Sequence, residues 1–279
     1  MAEVVLNALT LSSILVLVAL GLAIVFGLMN IINMAHGEFV MLGAFTLSFV
    51  QARGGGFWLG LLSATVVGGL LGFLLERLIV RHLYERPMAA ILATWGVSLI
   101  LQHSMQLAFG AAPRLVNGPI VGAFQAFGVT YPAYRIFLIA SAIVVVGAVV
   151  IVLRRTTFGL DLRTVIENRE VAELLGIDTK RVFTIAFCAG TALAGLAGAL
   201  VAPLAKVVVS MGANYLAPSF FVVIVGGAGS LPGVVAGSLL VGTLQTLLEY
   251  EIPATFSQAL VLIASVAIVR VRPRGLVPA

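Results

Sequence analysis

Apolar residues dominate this chain in long uncharged stretches that are separated by short charged segments. No Lys, Arg, Asp or Glu lies between Glu3 and Glu38. Further uncharged stretches cover residues 39–52, 54–75, 87–113, 136–153, 182–205, 207–248 and 252–269. Because roughly 20 apolar residues suffice for a helix to cross the hydrocarbon core, the pattern predicts an all-α, polytopic helical membrane protein with about eight or nine transmembrane or half-membrane helices. The segments near 36–52 and 214–230 are the two short ones.

Composition agrees with this class and excludes several functions. The chain is 61% hydrophobic and only 10% charged, whereas about a quarter of the residues of a soluble domain are charged. The net charge of +5 does not indicate nucleic-acid binding. The basic residues lie between apolar spans, which contact membrane lipid, and this distribution is typical of membrane topology. Phosphate-binding Gly-Lys-Ser/Thr, His-Glu-x-x-His, Cys-x-x-Cys and Gly-x-Ser-x-Gly motifs are absent from the sequence. We therefore expect no catalytic residues, metal or cofactor, and no ATPase site in this chain.

The basic residues predict the orientation. Twelve of the 16 Lys and Arg residues fall in one alternate set of loops: Arg77, Arg81, Arg86, Arg154, Arg155, Arg163, Arg169, Lys180, Arg181, Arg270, Arg272 and Arg274. The other set holds only Arg53, Arg114, Arg135 and Lys206. The positive-inside rule places the basic set in the cytoplasm. With nine crossings the N-terminus is then outside, in a multi-pass protein of the cytoplasmic (inner) membrane. If residues 36–52 are re-entrant instead, the number of crossings falls and the N-terminus lies on the other side.

One long polar segment, residues 154–181, interrupts the apolar stretches. Within it Leu162, Val165, Ile166, Ala172 and Leu175 recur near helical spacing, which predicts an amphipathic helix over about residues 161–176. Gly176 follows the last apolar position and suits a left-handed helix stop. An apolar stripe facing the cytoplasm would fit a groove in a partner protein. The alternative is a helix that packs only against its own spans.

Polar residues within the apolar stretches are candidates for a translocation path or gate. The first group is Asn30, Asn33, His36 and Glu38, and the second is Thr94, Ser98 and Gln102, with Trp95 as a possible pocket wall. Each group has a structural alternative: Glu38 can stabilise a helix N-terminus, and the second group can bond neighbouring helices. The glycine-rich turn at 226–233 is interpreted as a break between helices, a feature that often surrounds transport sites.

Several motifs resemble one family. The segment from Glu170 to Gly176 has the Glu-x-Ala-x-x-x-Gly spacing of the coupling loop of ABC importer permeases. Residues 27–39, with Met-Leu-Gly at 41–43, resemble the first signature of branched-chain amino-acid importer permeases, and similar segments extend to the Val-Arg-Pro-Arg-Gly-Leu ending at 271–276. Residues 93–102 and the Glu249–Tyr250 pair also resemble urea importer permeases of the same superfamily.

This resemblance implies a single permease domain over residues 1–279 with a coupling loop at 154–181. It also implies separate cytoplasmic ABC ATPase subunits, a second permease subunit forming a homo- or heterodimer, and an extracytoplasmic solute-binding protein. The residues it assigns to ATPase coupling are Arg163, Glu167, Asn168, Glu170, Ala172 and Gly176. The expected substrates are branched-chain amino acids or related small polar solutes, with urea or a short amide as the alternative. A stand-alone secondary carrier or channel is the competing class.

Overall fold

The structure is a computed structural model that describes residues 2–29, 32–126, 129–227, 229–272 and 275–277. Its helices are α1 Ala2–Met29, α2 His36–Ala52, α3 Phe57–Leu78, α4 Pro87–Phe109, α5 Ala133–Arg155, α6 Thr157–Glu167, α7 Arg169–Leu174, α8 Thr179–Val201, α9 Met211–Gly226, α10 Leu231–Glu251 and α11 Ala254–Val271. Within the described residues, seven of them are long and apolar enough to cross a membrane, and α2 and α9 are the two shorter apolar helices. The predicted polytopic helical fold and its two short segments are therefore confirmed.

The two ends of the bundle are held by different contacts. At one end, which we call the outer end, Asn7 near the start of α1 accepts hydrogen bonds from Tyr131 and Arg135. A small antiparallel hairpin of β1 Ala123–Ala126 and β2 Val129–Pro132 lies at this end and was not anticipated from the sequence. At the opposite, inner end, the coupling loop adjoins the start of α8. The inner end carries the arginine-rich loops and so faces the cytoplasm by the positive-inside rule.

α1 and α8 form the buried centre of the bundle, while α4, α5 and α11 expose most of their side chains at its periphery. Close approach at the centre depends on glycine. A Cβ added to Gly21 or to Gly190 would collide with the carbonyl oxygen of the other residue, and the same is true of Gly37 and Gly212. Small residues at these positions let membrane helices approach through their backbones. The small-residue pattern in α8 therefore serves packing.

α2 begins in the middle of the bundle. Its first residue, His36, reaches the carbonyl oxygen of Val18, which lies well inside α1, whereas its other end at Gln51 bonds to Asn117 at the outer end. Since α1 continues to Met29, the chain must turn back toward the centre before α2 starts. α2 is thus a half-length helix, and its N-terminus meets the start of α9 at the Gly37–Gly212 contact.

The coupling loop is two helices, which corrects the single helix expected over residues 161–176. Asn168 separates α6 from α7 because it adopts an extended conformation (φ −157°, ψ 110°). Its side-chain oxygen accepts a hydrogen bond from the backbone N–H of Val171 at 3.1 Å and so caps α7. Gly176 adopts φ +83°, as predicted, and the N–H of Ile177 bonds back to the carbonyl oxygen of Ala172. This is the Schellman arrangement of a helix end.

Candidate functional site

Polar side chains from α2, α4 and the segment before α2 meet in the middle of the bundle. We call this group the polar layer, and it consists of Asn33, His36, Glu38, Thr94, Ser98 and Gln102. Glu38 Oε1 accepts hydrogen bonds from Ser98 Oγ at 2.9 Å and from Gln102 Nε2 at 2.7 Å. The backbone N–H of Met34 donates to Thr94 Oγ1 at 3.1 Å. Members of both predicted groups of path residues therefore meet in this layer, and polar bonds fasten α4 to α2.

Several atoms of the polar layer are buried without a partner. Asn33, His36 and Glu38 are at most 1% exposed, yet Asn33 Nδ2, His36 Nδ1 and Glu38 Oε2 make no hydrogen bond within the described residues. Burying an unsatisfied polar group costs about 1–3 kcal/mol. Natural structures keep such groups where another state or a bound molecule satisfies them, so the polar layer is a candidate for function as well as for structure.

The N-terminus of α9 faces the polar layer. Glu38 Oε2 lies 3.1 Å from the position that a Cβ would occupy on Gly212, in the first turn of α9. Ser210 precedes that helix and gives it no side-chain cap. Helix N-termini carry a partial positive charge that favours a nearby carboxylate. Glu38 also lies in the first turn of its own helix, α2, which is the structural role considered as the alternative. Stabilising that helix N-terminus is compatible with a role in a gate.

One predicted path residue, Trp95, does not join this cluster. Trp95 neighbours Thr94 in sequence but is 53% exposed on a different face of α4. Asn30 lies outside the described residues. The glycine-rich turn forms the connection between α9 and α10, where Gly227 and Gly229 adopt positive φ, and Gly229 approaches Gly27 at the inner end of α1.

The coupling segment, residues 157–177, divides the predicted apolar stripe between two surfaces. Leu162, Val165 and Ala172 are buried against the protein's own helices, whereas Ile166 and Leu175 are exposed. The expectation of one stripe facing the cytoplasm was therefore only half right, because part of the stripe packs on the bundle and the rest is exposed. Exposed aliphatic side chains of α7 and the residues after it are Val171, Leu174 and Leu175.

The predicted coupling residues fall on the surface with one exception. Arg163, Glu167, Asn168, Glu170 and Gly176 are exposed, and Ala172 is fully buried. Ala172 is thus the contact through which α7 rests on the bundle, and its small size permits that contact. Arg163, Glu167 and Asn168 line one shallow groove together with Leu160 and Val171.

A second polar network, missed from the sequence, links the coupling segment to α3. Glu76 is fully buried at the inner end of α3 and accepts bonds from Arg81 at 3.2 and 3.3 Å and from the Tyr84 hydroxyl. The Tyr84 ring packs on Phe183 in α8 at 4.9 Å between centroids. Burial and the adjacent Glu76 carboxylate raise the pKa of Tyr84.

Phe183 in turn contacts α7. The Arg169 guanidinium lies 5.4 Å from the centroid of the Phe183 ring. Glu173 accepts from Thr179 Oγ1 at 2.8 Å and from Arg169 at 3.1 Å, and both bonds lower the pKa of its carboxyl. α7 therefore contacts α8, and Phe183 and Tyr84 connect it further to Glu76 of α3. The sequence did not predict this network, because Glu76 directly follows an uncharged stretch and looked like an ordinary charge at the end of a membrane span.

Comparison with known proteins identifies the family. The model of the family described as "Branched-chain amino acid transport system / permease component" matches residues 4–269. The high-affinity branched-chain amino acid transport system permease protein LivH of Escherichia coli is 28% identical over 97% of this chain and 93% of its own length. The corresponding protein BraD of Pseudomonas aeruginosa is 28% identical over 85% of this chain and 82% of its own length.

A third relative is the high-affinity branched-chain amino acid transport system permease protein LivM of E. coli. It is 27% identical over 96% of this chain and 69% of its own length. No solved structure shows a significant match. The match to the family model covers nearly the whole chain and includes both short helices and the coupling segment. This chain is a multi-pass membrane protein that belongs to the family of permease components of branched-chain amino acid transport systems.

Proposed function

We propose that this chain is the permease subunit of an ABC importer for branched-chain amino acids. Separate cytoplasmic ATPase subunits bind the coupling segment and drive transport. A soluble extracytoplasmic protein delivers the amino acid at the outer end. The observation that carries the proposal is the coupling segment itself, which combines exposed aliphatic side chains on α7 with a buried anchor at Ala172.

The second permease subunit is proposed to be a different but related chain. Two distinct E. coli permease proteins, LivH and LivM, are both similar to this chain, which supports a pair of homologous permeases. A path formed between two such subunits would be lined in part by α4, which is peripheral and is held to α2 in part through the polar layer.

The polar layer is proposed to act as a closed gate. Its bonds between Glu38 on α2 and Ser98 and Gln102 on α4 would break when α4 moves. The atoms without partners would then meet water or substrate, which offsets the cost of breaking those bonds. Movement of α7 would reach this layer through α8, which packs against α1 and α2 at Gly190, Gly195 and Gly198.

The test uses Gly176→Asp and Glu170→Lys in the reconstituted importer. Gly176 requires the left-handed backbone (φ +83°), and Glu170 is exposed in the first turn of α7. We expect both variants to insert normally but to lose ATP-driven leucine uptake and ATPase association.

Matched controls come from the same chain. Gly54 has the same backbone conformation (φ +82°) with open space around it, but it lies at the outer end, so Gly54→Asp should leave coupling intact. Glu85→Lys reverses an exposed acid at the inner end outside the coupling segment. Normal uptake and ATPase association in both test variants would contradict the proposed function.

A further inference from the structure

A cavity of about 430 Å³ opens at the outer end of the bundle, separate from the polar layer. The first half of α1 forms one wall with Asn7, Leu11 and Ile14, and the end of α10 and the start of α5 contribute Glu249 and Arg135. About half of the lining is aliphatic, so the cavity has both charged and apolar surfaces.

Arg135 is positioned in this cavity by neutral groups. Its Nη1 donates to Asn7 Oδ1 at 2.6 Å, and its guanidinium lies 5.5 Å from the centroid of the Tyr131 ring. Tyr131 also donates to Asn7 Oδ1, at 3.1 Å. Within the described residues Arg135 forms no salt bridge. Its charge and several of its five N–H donors are thus free to bind an anion.

Glu249 supplies a negative charge to the cavity, and it too is hydrogen-bonded only to a neutral group. Its Oε1 accepts a hydrogen bond from the neutral Gln245 side chain at 2.8 Å, and it has no ion-pair partner in the part of the chain that the structure describes. A half-buried cation and an exposed anion thus line one cavity, and within the described residues they form no salt bridge with each other. That arrangement matches a molecule that carries both charges.

We propose that the outer cavity is a binding site for an aliphatic zwitterionic α-amino acid. Arg135 binds the α-carboxylate, for which the planar guanidinium is suited. Glu249 binds the α-ammonium. The side chain packs on the aliphatic surface formed by Leu11, Ile14 and Leu204. An uncharged solute such as urea offers neither charge and would leave both groups unsatisfied.

The cavity adjoins the polar layer along both α1 and α9. Ile14 in the cavity wall precedes Val18, whose carbonyl oxygen bonds to His36, by one helical turn or about 6 Å. Tyr215 in the cavity follows Gly212, the residue beside Glu38, by about 4.5 Å along α9. This inference rests on the proposed function, because it makes the cavity the chamber that receives substrate before the polar layer opens.

The test measures binding of radiolabelled L-leucine to the full-length chain in lipid nanodiscs, without the solute-binding protein. Competitors are 3-methylbutylamine, which is leucine without its carboxylate, 4-methylpentanoate, which lacks the ammonium, and urea. We expect Arg135→Gln and Glu249→Gln each to weaken leucine binding by about tenfold or more, since a hydrogen bond to a charged group contributes about 1.5–3 kcal/mol.

The competitors separate charge recognition from general damage. In Arg135→Gln, 3-methylbutylamine should compete as well as leucine, because the carboxylate no longer has a partner. In Glu249→Gln, 4-methylpentanoate should do so. Glu249 bonds only to a neutral side chain on its own helix, so its variant keeps the test valid if Arg135→Gln fails to fold.

The controls are Arg53→Gln and Glu251→Gln, which remove an exposed charge of each sign without touching the cavity lining. Leucine binding that both test variants retain, or no leucine binding by the unmodified chain, would overturn the site. Parallel uptake assays with ATPase subunits and solute-binding protein separate the two proposals. ATP-driven uptake with charge-independent binding refutes the site alone, and charge-dependent binding without ATP-driven uptake refutes the importer alone.

Discussion

The exposed leucines of the coupling segment give the sharpest prediction. Leu174 is 87% exposed and Leu175 is 70% exposed, although both are large and apolar. Exposed apolar side chains that lie together, here with Val171, mark a surface that binds a partner. We predict that the double variant Leu174→Ala with Leu175→Ala loses most of its affinity for the ATPase subunit.

The magnitude follows from the surface available for burial. A Leu→Ala change removes about three CH₂ groups, each contributing about 0.8 kcal/mol when buried. Scaled by the exposed fractions of 87% and 70%, complete burial of both leucines in the complex gives a loss of about 4 kcal/mol. Because 1.4 kcal/mol corresponds to a factor of ten, affinity should fall by about two to three orders of magnitude.

The assay is titration of the purified ATPase subunit onto the nanodisc-embedded permease. Thermal stability of the free variant should change by no more than about 0.5 kcal/mol, because neither leucine is buried in the chain alone. Leu78→Ala is the control, since Leu78 is also 70% exposed at the inner end but lies outside the coupling segment. Equal losses for Leu78→Ala and the double variant would refute the reasoning.

Three further outcomes are expected. Glu38→Ala should destabilise the detergent-solubilised chain far more than Glu38→Gln, because alanine leaves the Ser98 and Gln102 donors without an acceptor at about 1–3 kcal/mol each; equal melting temperatures would contradict this. Glu76→Gln should lower the melting temperature while Glu85→Gln does not, because only Glu76 is a buried ion-pair partner. The lowered pKa of Glu173 means that its ionised form stabilises α7. That stabilisation is complete above the usual carboxyl pKa and disappears as the pH falls through the lowered value, so a spin label at Val171 should become more mobile in acid, and Glu173→Gln should remove this pH dependence.

Much of the fold could be predicted because charge and hydropathy are local signals. α2 begins and ends where the sequence indicated, at His36 and Ala52, and Gly176 ends its helix in the predicted left-handed conformation. These features depend on neighbouring residues alone. The break at Asn168 also has a local cause, the capping of α7 by the Asn168 side chain. It was missed because the apolar residues on both sides keep helical spacing across it.

The candidate sites were harder to predict because they depend on contacts between distant segments. Glu38 and Gln102 are 64 positions apart, and Asn7 and Arg135 are 128 apart. The polar layer was anticipated only as two separate groups. The outer cavity was not anticipated, because Asn7, Arg135 and Glu249 lie in loops or helix ends, where polar residues are ordinary in a membrane protein.

The Gly37–Gly212 contact determines where the bundle can yield. At this contact the backbones of α2 and α9 touch directly, so an added side chain at either glycine would push the two helices apart. The polar side-chain bonds join other parts of the bundle: the Glu76–Arg81 pair and the bonds around Asn7 lie at its two ends, and Glu38 bonds to α4. Among the described residues no side-chain hydrogen bond joins α2 to α9, so these two helices can slide past each other at the midplane without breaking a polar bond between them.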